Sequence, residues 1–153
     1  MSGGPAPRVY IDANILLYVI EGSELFRAQL GQLMDALDAG KLLGVTSDLT
    51  FAEVMVKPFA SRNERYISAY RHLLVGVSAL EVVPISREVL EQSAILRAEI
   101  GGKLADGIHV ATAVMKKCSH FISEDAGIRV PAGLALLKTS DVPTLLASVQ
   151  DST

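Results

Sequence analysis

Four acidic residues stand next to or within strongly apolar segments of this 153-residue chain: Asp12, Glu53, Asp106 and Asp125. Asp12 and Asp125 follow short apolar runs, whereas Glu53 and Asp106 belong to longer ones. Carboxylates that are brought together repel each other unless a cation neutralises them. If the four acids converge, their pattern predicts a divalent-metal site that acts on phosphates.

Each of the four acids also has a structural interpretation, which for Asp106 is a favourable interaction with the helix dipole. Asp12, together with Asn14, is suited to cap a short helix. Thr50 and Glu53 have the spacing of a capping box, in which the glutamate accepts from the backbone N–H of the threonine. Asp125 lies in a segment that suits a turn. For each of these residues taken alone, both interpretations stay open.

Asp106 gives the strongest single indication of a site. It begins a segment of small apolar residues that is expected to form a helix buried on most of its circumference, so the carboxylate needs a partner. His109 lies three positions later on the same helical face, either touching the site or serving as a hydrogen-bonded core histidine. No second histidine has zinc-ligand spacing, and an all-oxygen ligand set favours Mg²⁺ or Mn²⁺.

Composition bounds the remaining possibilities. Half of the residues are hydrophobic and a fifth are charged, which is typical of a compact globular protein. The length predicts one domain over residues 8–148, preceded by a flexible tail at residues 1–7. The formal net charge of −3 excludes a broadly basic surface, so nucleic acid would have to be bound by a local patch or through a metal.

The cysteine count and the apolar runs predict the compartment. Cys118 is the only cysteine, which excludes an intramolecular disulfide and a cysteine-based zinc site. No apolar run has the character of a signal peptide or the roughly 20-residue length of a membrane helix. A soluble cytoplasmic protein without a membrane partner is expected.

Short apolar runs alternate with longer amphipathic ones, which predicts a three-layer α/β/α fold around a mostly parallel sheet of about five strands. Pro58 is predicted to end the helix that carries Glu53. Strands are predicted at residues 9–12, 43–47, 80–85, 120–123 and 134–138. Helices are predicted at residues 24–39, 50–57, 63–75, 87–99, 106–117 and 142–148.

This fold gives the four acids a plausible common location. In open α/β sheets, sites form outside the carboxyl ends of the strands. Asp12 and Asp125 lie at or just beyond such strand ends, and Glu53 and Asp106 are predicted to begin helices at the same edge. We therefore expect the four carboxylates to converge there.

Five segments of the chain form a recognisable series: residues 10–14, 47–58, 105–113, 121–125 and 130–134. Any one of them is a weak indication of a family, but four in this order are quite specific. Over residues 8–147, the chain resembles a PIN-domain ribonuclease, most closely the VapC-type toxins of bacterial and archaeal toxin–antitoxin pairs.

The resemblance implies that Asp12, Glu53, Asp106 and Asp125 form the acidic site and bind Mg²⁺ or Mn²⁺. It also implies supporting roles for Asn14, the polar residue after the first acid, and for Ser123, which takes the place of the family's supporting hydroxyl residue. Glu124 adds a carboxylate where the family often has a neutral residue. Strand alternation places Ser123 and Asp125 on one side and Glu124 on the other, which favours Asp125 as the fourth ligand.

Such a site fits hydrolysis of RNA phosphodiester bonds. Asp12, Asp106 and Asp125 are expected to touch the metal directly, and Glu53 either to contact it through water or to orient the nucleophile. Lys103, close to Asp106, is a further candidate to contact RNA. The densest basic stretch is either a second RNA surface, with aromatic residues to stack bases, or the solvated face of a helix or a subunit contact. It contains Lys57, Arg62, Arg65, Tyr66, Tyr70 and Arg71.

The toxin-like resemblance further implies a cognate antitoxin as partner and a homodimer. Three alternatives stay open: a stand-alone PIN nuclease in RNA processing, a catalytically silent PIN module that binds RNA or protein, and a phosphate-accepting receiver domain. The receiver domain is disfavoured because Asp12 is followed by Ala13 and Asn14 instead of a second acid.

Overall fold

A computed structural model describes residues 4–75 and 79–151, in which five parallel strands form one sheet of order β3-β2-β1-β4-β5. All strand pairs are parallel. The predicted α/β fold with a central five-stranded sheet is therefore confirmed. The strands are β1 (Arg8–Ile11), β2 (Leu43–Ser47), β3 (Leu80–Val83), β4 (His120–Ile122) and β5 (Ala135–Leu137).

Eight α-helices connect or flank the strands within the described residues, and side-chain alternation along β1 shows how they cover both faces of the sheet. Val9 and Ile11 pack into one buried cluster, whereas Tyr10 packs into a second cluster on the opposite face. The first cluster includes residues of α1, α2, α5 and α8, and the second includes residues of α6 and α7. The helices are α1 (Ala13–Glu21), α2 (Arg27–Asp38), α3 (Asp48–Val54), α4 (Val56–Ser61), α5 (Glu64–Leu73), α6 (Arg87–Ile100), α7 (Leu104–Met115) and α8 (Val142–Asp151).

The central strand β1 lies where the strand order changes direction, since the chain first adds β2 and β3 on one side and later β4 and β5 on the other. Ile11 is in register with Ile122 of β4. The N–H of Asp12 continues this ladder by donating to the carbonyl oxygen of Ile122 at 3.1 Å. Such a switch point is where open α/β sheets place their binding clefts.

Helix α1 was not among the predicted helices. The run from Ile15 to Ile20 is continuously apolar, and periodicity alone does not distinguish a helix from a buried strand in so short a run. Asp12 begins the helix, because its Oδ1 atom accepts from the N–H of Ala13 at 2.8 Å. The capping interpretation of Asp12 is thus correct for one of its two carboxylate oxygens.

The prediction that Pro58 ends the helix carrying Glu53 is wrong. That helix, α3, already ends at Val54, and Pro58 is the third residue of the next helix, α4. Proline is tolerated there because the first-turn N–H groups of a helix have no intrahelical partner. Helix α3 also begins earlier than predicted, at Asp48, since Ser47 caps it by accepting from the N–H of Leu49.

The remaining predictions about the periphery have mixed outcomes. The predicted N-terminal tail lies partly outside the described residues. Cys118 is buried, as expected of an inert thiol, and burial raises its pKa to about 12. Within the described residues, none of the helices is both long and apolar enough to cross a membrane.

Candidate active site

The four predicted acids line one cleft of about 260 Å³ at the carboxyl edge of the sheet. They come from four different parts of the fold: the end of β1, helix α3, helix α7 and the turn after β4. The cleft is lined by Asp12, Ala13, Asn14, Leu17, Glu53, Val54, Asp106 and Asp125.

Asp12 is the most rigidly held of the acids and is only 6% exposed. Its Oδ1 atom caps α1, and its Oδ2 atom accepts a 2.7 Å hydrogen bond from the hydroxyl of Ser123. The amide nitrogen of Asn14 lies 3.4 Å from the same Oδ2 atom. Both supporting residues expected from the sequence therefore contact Asp12.

Ser123 connects Asp12 to the turn that carries Asp125. Its buried hydroxyl donates to Asp12 and accepts from the amide of Asn14 at 3.1 Å and from the N–H of Asp125 at 3.0 Å. Asn14 holds the same turn, because its Oδ1 atom accepts from the N–H of Glu124 at 3.3 Å. The polar atoms behind the cleft thus form one continuous network.

The carboxylates of Glu124 and Asp125 point to different places. The Oε2 atom of Glu124 accepts from the N–H of Thr139 at 2.7 Å, at the start of a short 3₁₀ turn after β5. Asp125 is exposed and lines the cleft, with its Oδ1 atom accepting from the N–H of Gly127 at 2.8 Å. Of these two residues, only Asp125 lines the cleft.

Asp106 lies in the first turn of α7, which begins at Leu104, two residues earlier than predicted. Burial is the main cause that raises the pKa of its carboxyl group, and the charges of Asp125 and Asp12 raise it further. The charge of Lys103 partly offsets this rise in pKa. The carboxylates are thus close enough to repel each other, which is the condition that a bound cation relieves.

Two expectations about Glu53 are wrong. It was expected to begin its helix and to have little solvated surface, but it lies in the last turn of α3 and its side chain is 37% exposed. The capping box is also absent at Thr50, because this buried residue shares a hydroxyl–hydroxyl bond with Thr46 at 2.8 Å. Glu53 is instead bonded to His109: its Oε1 atom lies 2.5 Å from Nε2 of the imidazole.

His109 is both a core residue and a neighbour of the site, so the two interpretations left open from the sequence hold together. It is only 1% exposed, its Nδ1 atom lies 2.5 Å from the hydroxyl of Tyr10, and its Nε2 atom lies 3.8 Å from Oδ1 of Asp12. Sequence reasoning did not connect Tyr10 to the site. The available indication was its position two residues before Asp12, on the face of β1 that α7 covers.

The donor set suits a hard divalent cation, since the cleft offers carboxylate oxygens and no sulfur ligand. The carboxylates surround the cleft without converging on one point. Over residues 4–75 and 79–151, no three acidic, histidine or cysteine side chains are placed to hold one ion together.

The residues predicted to contact RNA lie outside the lining of this cleft. Lys57, Arg62, Arg65 and Lys103 are all exposed, which leaves their predicted role untested. The predicted base stacking by the neighbouring aromatic residues is contradicted for Tyr70. This side chain is fully buried and its hydroxyl donates to Glu21, while Tyr66 packs against the core.

The family is decided by comparison with known proteins. A family model described as the PIN domain matches residues 9–134, most of the chain and all four acids of the cleft. The chain belongs to the PIN-domain family. PIN domains are nuclease domains, so the resemblance inferred from the sequence segments is confirmed at the level of the family.

Solved structures of similar PIN-domain proteins agree in fold. A toxin–antitoxin complex from Klebsiella pneumoniae matches with a TM-score of 0.60 and 25% identity, over 83% of this chain and 95% of that one. VapBC2 from Rickettsia felis bound to a promoter DNA fragment, and FitAcB from Neisseria gonorrhoeae, each match with a TM-score of 0.62 and 16% identity, over 86% of this chain and 98% of theirs. Comparison with curated protein sequences gave no significant match.

Proposed function

We propose that this PIN domain is a metal-dependent endoribonuclease that hydrolyses RNA phosphodiester bonds with Mg²⁺ or Mn²⁺. The observation that carries the proposal is the meeting of four carboxylates, from four separate elements of a PIN domain, in one cleft. A structural role for each acid would not explain why they share this cleft. Asp12, Asp106 and Asp125 are the proposed direct ligands, and Glu53 acts through water or by orienting the nucleophile.

The chain's own groups have distinct roles in this mechanism. Asp12 supplies a fixed oxygen because the helix cap and Ser123 hold both of its carboxylate oxygens. Asp106 from α7 and Asp125 from the turn after β4 supply further charge to the cleft, and Glu53 reaches in from α3. A divalent cation bound by these groups would lower the pKa of a coordinated water and neutralise charge on the scissile phosphate.

RNA would approach over exposed cations at the rim. Lys103 precedes α7 and is close enough to lower the pKa of Asp106, so a phosphate near it would also be near the cleft. Lys57, Arg62 and Arg65 extend the proposed surface along α4 and α5. Because the net charge of the chain is negative, this local set and the bound metal would supply the attraction for the RNA backbone.

We further propose that the nuclease is the toxin of a toxin–antitoxin pair, acts in the cytoplasm as a homodimer and is bound by a cognate antitoxin. The similarity to a Klebsiella pneumoniae toxin–antitoxin complex supports this assignment. Growth arrest upon expression, relieved by Asp106→Asn, would separate a toxin from a nuclease of RNA processing. Unimpaired growth with an active, expressed enzyme would favour the RNA-processing alternative.

The decisive experiment is RNA cleavage by the purified chain in Mg²⁺, in Mn²⁺ and in excess chelator. Wild-type protein should cut structured RNA only with a metal, and Asp12→Asn should not cut it. Asp48→Asn is the matched control, because Asp48 is an exposed aspartate in the first turn of α3 and outside the cleft lining. Equally intact RNA after treatment with wild type and Asp12→Asn, across several substrates, would support a catalytically silent module instead.

A further inference from the structure

A chain of three side chains leads from the core to the cleft: Tyr10, His109 and Glu53. The hydroxyl of Tyr10 lies 2.5 Å from Nδ1 of His109, and Nε2 of the same ring lies 2.5 Å from Oε1 of Glu53. Tyr10, on β1, and His109, on α7, are buried. Glu53, on α3, is the partly exposed end of this series of three side chains. Both imidazole nitrogens are thus used, and only Glu53 belongs to the cleft.

The neighbours of the ring specify where its proton lies. A carboxylate accepts hydrogen bonds and cannot donate them, so Glu53 requires a proton on the Nε2 atom that faces it. Asp12, with Oδ1 at 3.8 Å from Nε2, adds a second negative charge on that side. The opposite tautomer would place the Nε2 lone pair against the oxygen of Glu53, which would then have to be protonated.

Tyr10 favours the same arrangement from the other side. The ordinary pKa of a phenol is about 10, so Tyr10 keeps its proton near neutral pH and can donate. Nδ1 of His109 lies 2.5 Å from the hydroxyl and can accept that proton. The second nitrogen of an imidazole is commonly fixed by a partner of this kind, which sets the tautomer and the ring orientation.

We propose that Tyr10 and His109 are positioning residues that hold the carboxylate of Glu53 at the cleft: the Tyr10 hydroxyl donates to Nδ1 of His109, and the Nε2–H group of His109 donates to Glu53. Their catalytic consequence rests on the proposed nuclease function. A glutamate side chain has three rotatable bonds, and that of Glu53 is partly exposed, so it would otherwise sample positions away from the site. His109 also ties α7, which carries Asp106, to α3, which carries Glu53.

The proton position can be measured without any enzymatic assay. The chain has three histidines, so the ¹⁵N resonances of labelled imidazoles form a small set, and His109→Gln identifies those of His109 by their loss. The expected spectrum near neutral pH has His109 protonated at Nε2 and unprotonated at Nδ1. Protonation at Nδ1 would overturn the proposed hydrogen-bond direction, whether or not the protein cleaves RNA.

Measurements of kcat distinguish a positioning role of His109 from a role in packing alone. His109→Gln keeps an amide nitrogen near the place of Nε2, whereas His109→Asn reaches only towards Tyr10. We expect kcat with Mn²⁺ to fall about 10- to 100-fold in the asparagine variant, with little change in KM, and to be largely restored in the glutamine variant, as for groups that orient metal ligands. Equal kcat in the two folded variants would overturn the positioning role.

Tyr10→Phe tests the donor while it keeps the ring that stacks on Phe121 at 4.7 Å. It should lower kcat and shift the Nδ1 resonance of His109, because Nδ1 loses its hydrogen-bond donor. Unchanged activity with an unchanged ¹⁵N spectrum would overturn the proposal. Matched controls are Tyr18→Phe and His72→Gln, which change residues outside the cleft lining. If wild type cleaves no RNA, the proposed function fails, but the wild-type and Tyr10→Phe spectra still decide the tautomer.

Discussion

The hydroxyl of Ser123 donates a 2.7 Å hydrogen bond to Oδ2 of Asp12, although 111 residues separate the two along the chain. The bond exists because β1 and β4 are neighbours in the sheet and end at the same level. It fixes the direction of the most buried acid of the cleft and joins it to the turn that carries Asp125. The proposed metal site therefore depends on a serine that would not itself bind the metal.

Ser123→Ala should weaken the site more than the fold. The buried side chain loses hydrogen bonds to Asp12, Asn14 and the Asp125 backbone, which we expect to cost about 1–3 kcal/mol of unfolding free energy. Loss of a group behind a metal ligand typically reduces metal affinity or activity about 10- to 100-fold. Mn²⁺ titration and RNA cleavage measure this effect. Ser119→Ala, at the opposite end of β4, is the control, and an equal loss there would contradict the assignment.

Asp106→Asn should abolish cleavage and yet stabilise the metal-free protein relative to wild type. Because the folded chain raises the pKa of Asp106 above its ordinary 3.8, it binds this proton more tightly than the unfolded chain does. Ionisation of Asp106 therefore lowers the unfolding free energy as pH rises from about 3.8 through the folded-state pKa. Asp106→Asn has no carboxyl group to ionise at this position, so its unfolding free energy does not fall in this way. Urea unfolding in chelator should therefore show the unfolding free energy of the variant, relative to that of wild type, increasing between about pH 3 and pH 7.

The same comparison should reverse when metal is added, because only wild type retains the full charge that attracts the cation. Asp48→Asn changes an exposed aspartate at the equivalent turn of α3 and serves as the control. A relative stability of Asp106→Asn that is independent of pH would mean that the raised pKa has another origin.

Asp125→Asn should remove most of the activity, whereas Glu124→Gln should leave it within about twofold, as expected of a substitution outside the site. In both variants, the side-chain amide oxygen can still accept the hydrogen bond that the carboxylate accepts in wild type. The donor is the backbone N–H of Gly127 for Asp125 and that of Thr139 for Glu124. The turn should therefore persist in both variants, and RNA cleavage rates would report the carboxylate charge alone. The reverse order of losses would identify Glu124 as the fourth ligand.

Divalent metal should raise the melting temperature of wild type. At about 100 times the dissociation constant, a ligand that binds only the folded state adds about 2.7 kcal/mol. For a domain of this size that corresponds to an increase of roughly 5–10 °C. Thermal unfolding with Mg²⁺ or Mn²⁺ measures it, and Asp12→Asn should lose the increase. A shift of equal size in that variant would place the metal elsewhere.

Lys103→Gln should weaken RNA binding and its dependence on salt. If Lys103 binds one phosphate of a single strand, its removal should reduce the slope of log affinity against log salt by about 0.7. Lys117→Gln is the matched control, because Lys117 is exposed beyond the opposite end of α7. RNA binding would be measured in chelator, with each lysine substitution combined with the inactive Asp12→Asn, so that cleavage does not affect the measured affinity. Identical slopes for the two lysine variants would argue against a specific interaction at Lys103.

The sheet and the shared edge of the acids were predictable, because buried parallel strands have continuous apolar runs and such sheets place sites at their carboxyl edge. Predictions based on local motifs were weaker. Pro58 fits the first turn of α4 as well as it would fit a helix end, and the spacing of Thr50 and Glu53 matches a capping box that the fold does not use. A local sequence pattern indicates which structural roles are open to a residue, whereas packing in the fold determines which of them it has.

The relation between Tyr10 and His109 was not accessible from the sequence. Their 99-residue separation is bridged only because α7 packs on the face of the sheet to which Tyr10 points. The exposure of Glu53 was likewise misjudged, since apolar neighbours along a helix do not determine which of its faces meets solvent. Both points depend on the arrangement of helices around the sheet.

The spread of the acids from Asp12 to Asp125 has a consequence for protein synthesis. A nascent chain that ends before β4 has neither Ser123 nor Asp125, and its β1 lacks one of its two neighbouring strands. No partly translated chain of that length contains the complete cleft. Most of the domain must therefore be synthesised before the proposed cleft can form.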